Sequence, residues 1–283
     1  MPGNWRGEYV MSSTSKIALA GFAVSFAALP VLAQDAQPSF IADKTFTVCT
    51  DATFPPMEFF ESAGNANAVG FDIDLSKALA EKWGAEPRIL VSEFTGLLPG
   101  LDAGRCDAVI SGIPLTPERV ASYPGVPYFS TAVAVFTSEK SELKIKDAAD
   151  LAGKTVAVQA GTSYLARLEK VNDDLKSAGA APIQIQTYPK QTDVIQQVLV
   201  GRADAAVSQD TELAYRNLQS PGQFKTIFTF PDTSDFAVFV RRIDGDEAAI
   251  KAAVAALAAD GQLAKIAEKW GLSADNIVAG ASQ

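Results

Sequence analysis

The octapeptide GRCDAVIS at residues 104–111 returns as GRADAAVS at residues 201–208, with Gly, Arg, Asp, Ala and Ser in register. Each copy follows an amphipathic stretch and ends in an apolar run of strand character, so the chain builds one helix–strand unit twice. A chain that does this among alternating strands and helices is constrained to two related α/β lobes with largely parallel sheets. Around the first copy the pattern predicts a strand over 45–50, a helix over 70–84, a strand over 87–91, a helix over 94–105 interrupted at Pro99, and a strand over 106–111. In the helix over 70–84, Asp72 is the expected N-cap and Gly84 the expected C-terminal cap. Around the second copy, 153–171 reads as strand, tight turn and helix. A strand over 183–188, a helix over 192–202 and a strand over 203–208 follow. Extended runs at 127–138, 226–230 and 235–242 and closing helices over 247–258 and 261–270 complete the chain.

Ligands of open α/β sheets lie outside the carboxyl ends of the strands. Asp51, Ser111, Gln159 and Ser208 stand at such ends, which places a binding cleft between the two lobes. The stretch SGIPLTPER (111–119) supplies a hydroxyl at Ser111, unobstructed backbone at Gly112, a second hydroxyl at Thr116 and a guanidinium at Arg119. An arginine fork matches the two oxygens of a carboxylate. The same residues also read as a plain helix start, with Thr116 as N-cap, Pro117 at the first helical position and Arg119 on a solvated face.

Composition narrows the chemistry. The 283 residues include no histidine and two cysteines, and the net charge is −9. Without histidine, Ser-His-Asp and Cys-His nucleophilic sites and most zinc sites are excluded. The acidic balance and scattered lysines and arginines disfavour nucleic acid and anionic membranes. No cofactor or metal is expected. Residues 1–33 read as an N-terminal extension plus signal peptide: Lys16 precedes the apolar run 17–29, Pro30 breaks it, and Val31-Leu32-Ala33 suits cleavage after Ala33. Met11 is the more natural start. The exported product would carry −10, because Arg6, Lys16 and Glu8 leave with a net +1. An oxidising compartment permits a Cys49–Cys106 bridge, but two strands of one sheet restrict its geometry, so the pairing stays open.

Four segments together resemble the family 3 periplasmic solute-binding proteins, the amino-acid and opine receptors of ABC importers. They are TDATFPPMEF (50–59), GFDIDLSKALA (70–80), SGIPLTPER (111–119) and QAGTS (159–163). The resemblance runs from about 45 to 275. It implies a two-lobed type II periplasmic binding-protein fold, with two parallel or mixed sheets, flanking helices and a two-strand hinge. Lobe 1 would span 40–131 plus 237–275, and lobe 2 would span 132–236. It further implies a periplasmic monomer that closes on a small ligand and is read by an ABC permease in the inner membrane.

By the same resemblance, Arg119 holds a ligand carboxylate, and Ser111, Gly112 and Thr116 shape its pocket. Gln159, Thr162 and Ser163 come from the facing lobe, the last two also being candidates for helix capping. Asp51 is a candidate for a ligand ammonium or for a turn-stabilising side chain. Gln209 occupies the position where relatives carry an aspartate, and Asp210 follows it, so either could face the ligand. Phe54 could stack on the ligand and Phe94 line the pocket, while Phe59 belongs to the core. Relatives often keep a hydroxyl at the position of Pro114. A dehydratase of an aromatic amino-acid precursor is the competing enzymatic reading, with Glu118 and Asp210 as its candidate acids. A ligand receptor for a sensor system is a third.

Overall fold

The computed structural model describes residues 1–4, 7, 38–62 and 64–278. The export segment expected over 11–33 and its cleavage site lie outside the described residues. Among the described residues, no helix is long and apolar enough to cross a membrane.

The first β/α run comprises β1 (Thr45–Thr50), the short pair β2 (Thr53–Phe54) and β3 (Glu58–Phe59), α1 (Phe71–Lys82), β4 (Glu86–Val91), α2 (Leu97–Asp102), β5 (Ala108–Val109) and α3 (Pro117–Ser122). The long strand β6 (Gly125–Ser138) leads to the second run. That run holds β7 (Thr155–Gln159), α4 (Ser163–Ser177), β8 (Gln184–Tyr188), α5 (Gln191–Leu199), β9 (Ala205–Gln209) and α6 (Asp210–Gln219). A second long strand, β10 (Phe224–Val240), returns the chain to α7 (Asp246–Ala259) and α8 (Gln262–Lys269).

The main sheet has the order β4-β1-β5-β10-β6-β9-β7-β8. β4, β1 and β5 pair in parallel on one side, and β9, β7 and β8 pair in parallel on the other. The antiparallel strands β6 and β10 lie between them. The two expected sheets therefore share two strands, and hydrogen bonding runs unbroken from β4 to β8. The extended runs at 226–230 and 235–242 are parts of one strand, whose register against β6 slips between Thr229 and Thr233.

The repeated sequence has a repeated job. Asp107 Oδ2 accepts from the Thr47 amide at 2.8 Å, and Asp204 Oδ2 accepts from the Thr155 amide at 2.8 Å. Each carboxylate thus satisfies the start of the strand next to its own, where the parallel ladder has not yet begun. Separate apolar clusters form around the two runs. One contains Phe46, Phe71, Tyr128 and Phe236; another contains Val156, Val158, Leu168 and Val207.

Three local expectations change. Pro99 does not interrupt its helix, because it falls in the first turn of α2, where the missing N–H has no intrahelical acceptor to lose. The N-cap of α1 is Gly70 at φ +134°, not Asp72. Any Cβ at Gly70 would lie 2.2 Å from the Met57 carbonyl oxygen, so only glycine fits. Cys49 and Cys106 are bridged, with Cα atoms 5.7 Å apart, joining β1 to the residues leading into β5.

Candidate functional site

The carboxyl ends of β1, β5 and β7 converge on a small enclosed cavity. Asp51, Phe54, Phe94, Ser111, Gly112, Gln159 and Thr162 line it, all expected from sequence, together with Glu58, Tyr164 and Gln191. Its free volume is about 10 Å³, room for about one water. The lining comes from both β/α runs, and the two sides are in direct contact.

Asp51 follows β1 and is 3% exposed. Its Oδ2 accepts from Gln159 Nε2 at 2.6 Å, and Gln159 also donates to the Pro189 carbonyl. Burial, opposed by the Gln159 hydrogen bond, pushes the Asp51 carboxyl up to about 6. The Asp51 amide donates to Ser111 Oγ, and Ser111 Oγ donates to Glu58 Oε1, both at 2.8 Å. Gly112 donates its N–H to Asp72 Oδ2 at 2.6 Å, and Tyr128 donates its hydroxyl to Asp72 Oδ1 at 2.7 Å.

Glu58 and Asp72 therefore form a fully buried acid pair beneath the Ser111–Gly112 turn. Burial, then the charge of Asp72, drives the Glu58 carboxyl well above the usual carboxylate range. Burial raises Asp72 to about 6 against the hydrogen bonds from Tyr128 and Gly112. Two ionised carboxylates cannot share such a site, so one proton is held between them. Glu58 Oε2 has no hydrogen-bond partner among the described residues.

Arg119, in α3, is half-buried and lies beside Phe94, outside the residues that line the cavity. Its guanidinium carbon lies 5.8 Å from the centre of the Phe94 ring. Nη1 donates to the Pro114 carbonyl at 2.8 Å and Nη2 to the Gly161 carbonyl at 3.3 Å, from the opposite run. Pro114 has no donor to offer, but its carbonyl steadies this arginine. Burial pulls Arg119 below its ordinary value. Among the described residues it has no carboxylate within ion-pair distance.

Five expected residues stand outside the cavity lining: Arg119, Thr116, Ser163, Gln209 and Asp210. Thr116 caps α3, its Oγ1 accepting from the Arg119 amide at 3.3 Å. Ser163 opens α4 and is half-buried. The Thr162 hydroxyl, which does line the cavity, donates back to the Gln159 carbonyl at 2.7 Å rather than capping α4. Gln209 is fully buried at the end of β9, with Oε1 3.4 Å from Thr131 Oγ1 and no partner for Nε2. Asp210 turns away to the hydroxyl of Thr131 and the amide of Ala132 on β6. Both side chains thus reach the same Thr131 hydroxyl, and neither lines the cavity. Glu118 is exposed on α3.

Sequence reasoning missed Glu58, Tyr164, Gln191 and Glu212. The last two form a buried network: Gln191 Nε2 and Ser208 Oγ both donate to Glu212 Oε2. The available signal for Glu58 was a lone carboxylate inside the apolar-aromatic run MEFF.

Residues 46–273 match the family model of bacterial extracellular solute-binding proteins, family 3. A probable ABC transporter arginine-binding protein of Chlamydia trachomatis is 29% identical, over 81% of this chain and 86% of its own length. An ancestral arginine-binding protein solved with arginine superposes with a TM-score of 0.72 at 32% identity, covering 80% of this chain and 98% of that one. An ancestral amino acid-binding protein described as a precursor of cyclohexadienyl dehydratase gives a TM-score of 0.70 at 28% identity, covering 81% and 95%. With its β/α runs, shared central strands and two-sided cavity, the chain belongs to the family 3 bacterial extracellular solute-binding proteins.

Proposed function

We propose that this protein is the periplasmic substrate-binding component of an ABC importer and takes an amino acid or a related carboxylate-bearing zwitterion. The observation that carries this reading is a pair of complementary charges on either side of Phe94. Asp51 and Phe94 line the cavity, and Arg119, which lies outside its lining and has no ion-pair partner among the described residues, stands 5.8 Å from the centre of the Phe94 ring. A ligand carboxylate would take the Arg119 fork, and a ligand cation would take Asp51. Both groups are engaged with the opposite side, through Gly161 and Gln159, so a ligand replaces those bonds.

Residues 40–131 and 237–275 would act as one lobe and 132–236 as the other, opening about β6 and β10. The monomer, exported to the periplasm, would present its closed form to the permease. The test is a thermal-shift panel of amino acids and N-substituted amino acids. One chemical class raises the melting temperature of the wild type, and Arg119→Ala removes the shift. Unchanged affinity in Arg119→Ala overturns the site assignment.

A second reading follows from Glu58. A buried, protonated carboxyl in the cavity wall is the positioned acid that a dehydratase needs. Incubation with prephenate or arogenate tests it, and absence of product removes it.

A further inference from the structure

Asp51 walls two spaces. On one side is the small enclosed cavity; on the other is an open groove of about 1070 Å³ between the loop after β1 and helices α5 and α6. Phe59 and Tyr215 meet across this groove with ring centres 5.5 Å apart. Its charges are arranged by side. Asp51, Glu61 and Glu93 come from the first β/α run, and Lys190 and Arg216 come from the second, Arg216 being paired with Glu212. Lys190 and Glu93 are exposed, and both act electrostatically on Asp51. Among the described residues neither enters an ion pair.

We propose that the groove is an outer subsite and that the ligand is a diamino dicarboxylic acid, with an amino-acid head at each end. This rests on the functional reading above and extends it. The first carboxylate lies at Arg119, the chain passes between Phe54 and Phe94, and the second head emerges beside Asp51. An amino-acid head carries an ammonium and a carboxylate on one carbon. Its complement is an acid on one wall and a base on the other, as Asp51 with Glu93 faces Lys190. A ligand ending in a bare cation would gain Asp51 and Glu93 but meet repulsion from Lys190. A carboxylate on the same carbon turns that repulsion into attraction. The groove's volume supplies the space that the inner cavity lacks.

The matched probes are L-lysine and 2,6-diaminopimelate (LL and meso), which differ by one carboxylate on the terminal carbon. Titration calorimetry on the purified protein is expected to show one diaminopimelate isomer binding about fivefold or more tighter than lysine, the size of a partly exposed ion pair. Lys190→Glu, checked for an unchanged melting profile, should bring the ratio below one. Lysine binding as tightly as diaminopimelate, or a ratio unaffected by Lys190→Glu, overturns the outer subsite. If other amino acids bind and neither probe does, the outer subsite falls and the importer reading stands. If no amino acid binds at all, both fall.

Discussion

Gln159 Nε2 donates to Asp51 Oδ2 at 2.6 Å, tying the end of β7 to the end of β1 across the cavity. Burial pushes the Asp51 carboxyl up to about 6 from its ordinary 3.8, with the Gln159 hydrogen bond opposing the rise. The folded protein thus holds this proton to higher pH than the unfolded chain does. The stability gained is complete below about pH 4, is lost as pH rises through 6, and amounts to roughly 3 kcal/mol at most. Asp51→Asn carries no charge at any pH. Its melting temperature relative to wild type should therefore rise progressively between pH 4 and 8 in scanning fluorimetry. A difference independent of pH would show that Asp51 does not titrate in this window.

Arg119 offers a planar fork whose Nη1 and Nη2 are held by the carbonyls of Pro114 and Gly161. Arg119→Lys keeps the charge but presents a single rotating ammonium. Loss of one charge-assisted hydrogen bond costs about 1.5–3 kcal/mol, so ligand affinity should fall about 10- to 150-fold by calorimetry. Affinity within twofold of wild type would mean that charge alone, without the fork, accounts for binding.

Gly112 has φ +48°, and a Cβ there would stand 2.7 Å from Phe54 Cε1. Phe54 is itself buried against Phe236, their ring centres 6.1 Å apart, so it has no open space to enter. Gly112→Ala combines left-handed strain with overpacking and should destabilise by about 2–4 kcal/mol. Urea unfolding measures it; a loss under 0.5 kcal/mol, on the order of a surface substitution, would refute the packing.

The Cys49–Cys106 bridge closes a loop with a sequence separation of 57. Chain entropy alone assigns such a loop about 4 kcal/mol. Cys49→Ala/Cys106→Ala should unfold at correspondingly lower denaturant, and dithiothreitol should lower the wild type toward the double variant while leaving the variant unmoved. Equal midpoints for the oxidised wild type and the double variant would contradict this.

The architecture was legible because the repeat is chemical as well as textual: Asp107 and Asp204 must be aspartates to reach the Thr47 and Thr155 amides. Asp51 and Gln159 were legible as strand-end residues in a shared crevice. What remained hidden depends on which way a side chain turns. Asp72 and Asp74 share the first turn of α1, yet Asp72 enters the acid pair, whereas Asp74 accepts from Trp270 Nε1 at 2.9 Å and Lys269 at 2.6 Å. Gln209 and Asp210 differ by one residue, and both accept from the Thr131 hydroxyl, whereas only Asp210 also takes the Ala132 amide. Glu58 lies in a two-residue strand, too short for any periodicity to show which side is inward.

Phe59 sits between Tyr215 of α6 and Trp270, with ring centres at 5.5 and 5.7 Å. Trp270 is one of three tryptophans in the chain; Trp83 is buried with Phe40 and Phe46, and Trp5 lies within the segment expected to be cleaved. Any movement of α6 away from the first run changes the surroundings of Phe59 and, through it, those of Trp270. If the two lobes open as proposed, Trp270 would serve as an optical gauge: a change in intrinsic fluorescence on opening, read against the buried Trp83 as a fixed background, is the expected signal.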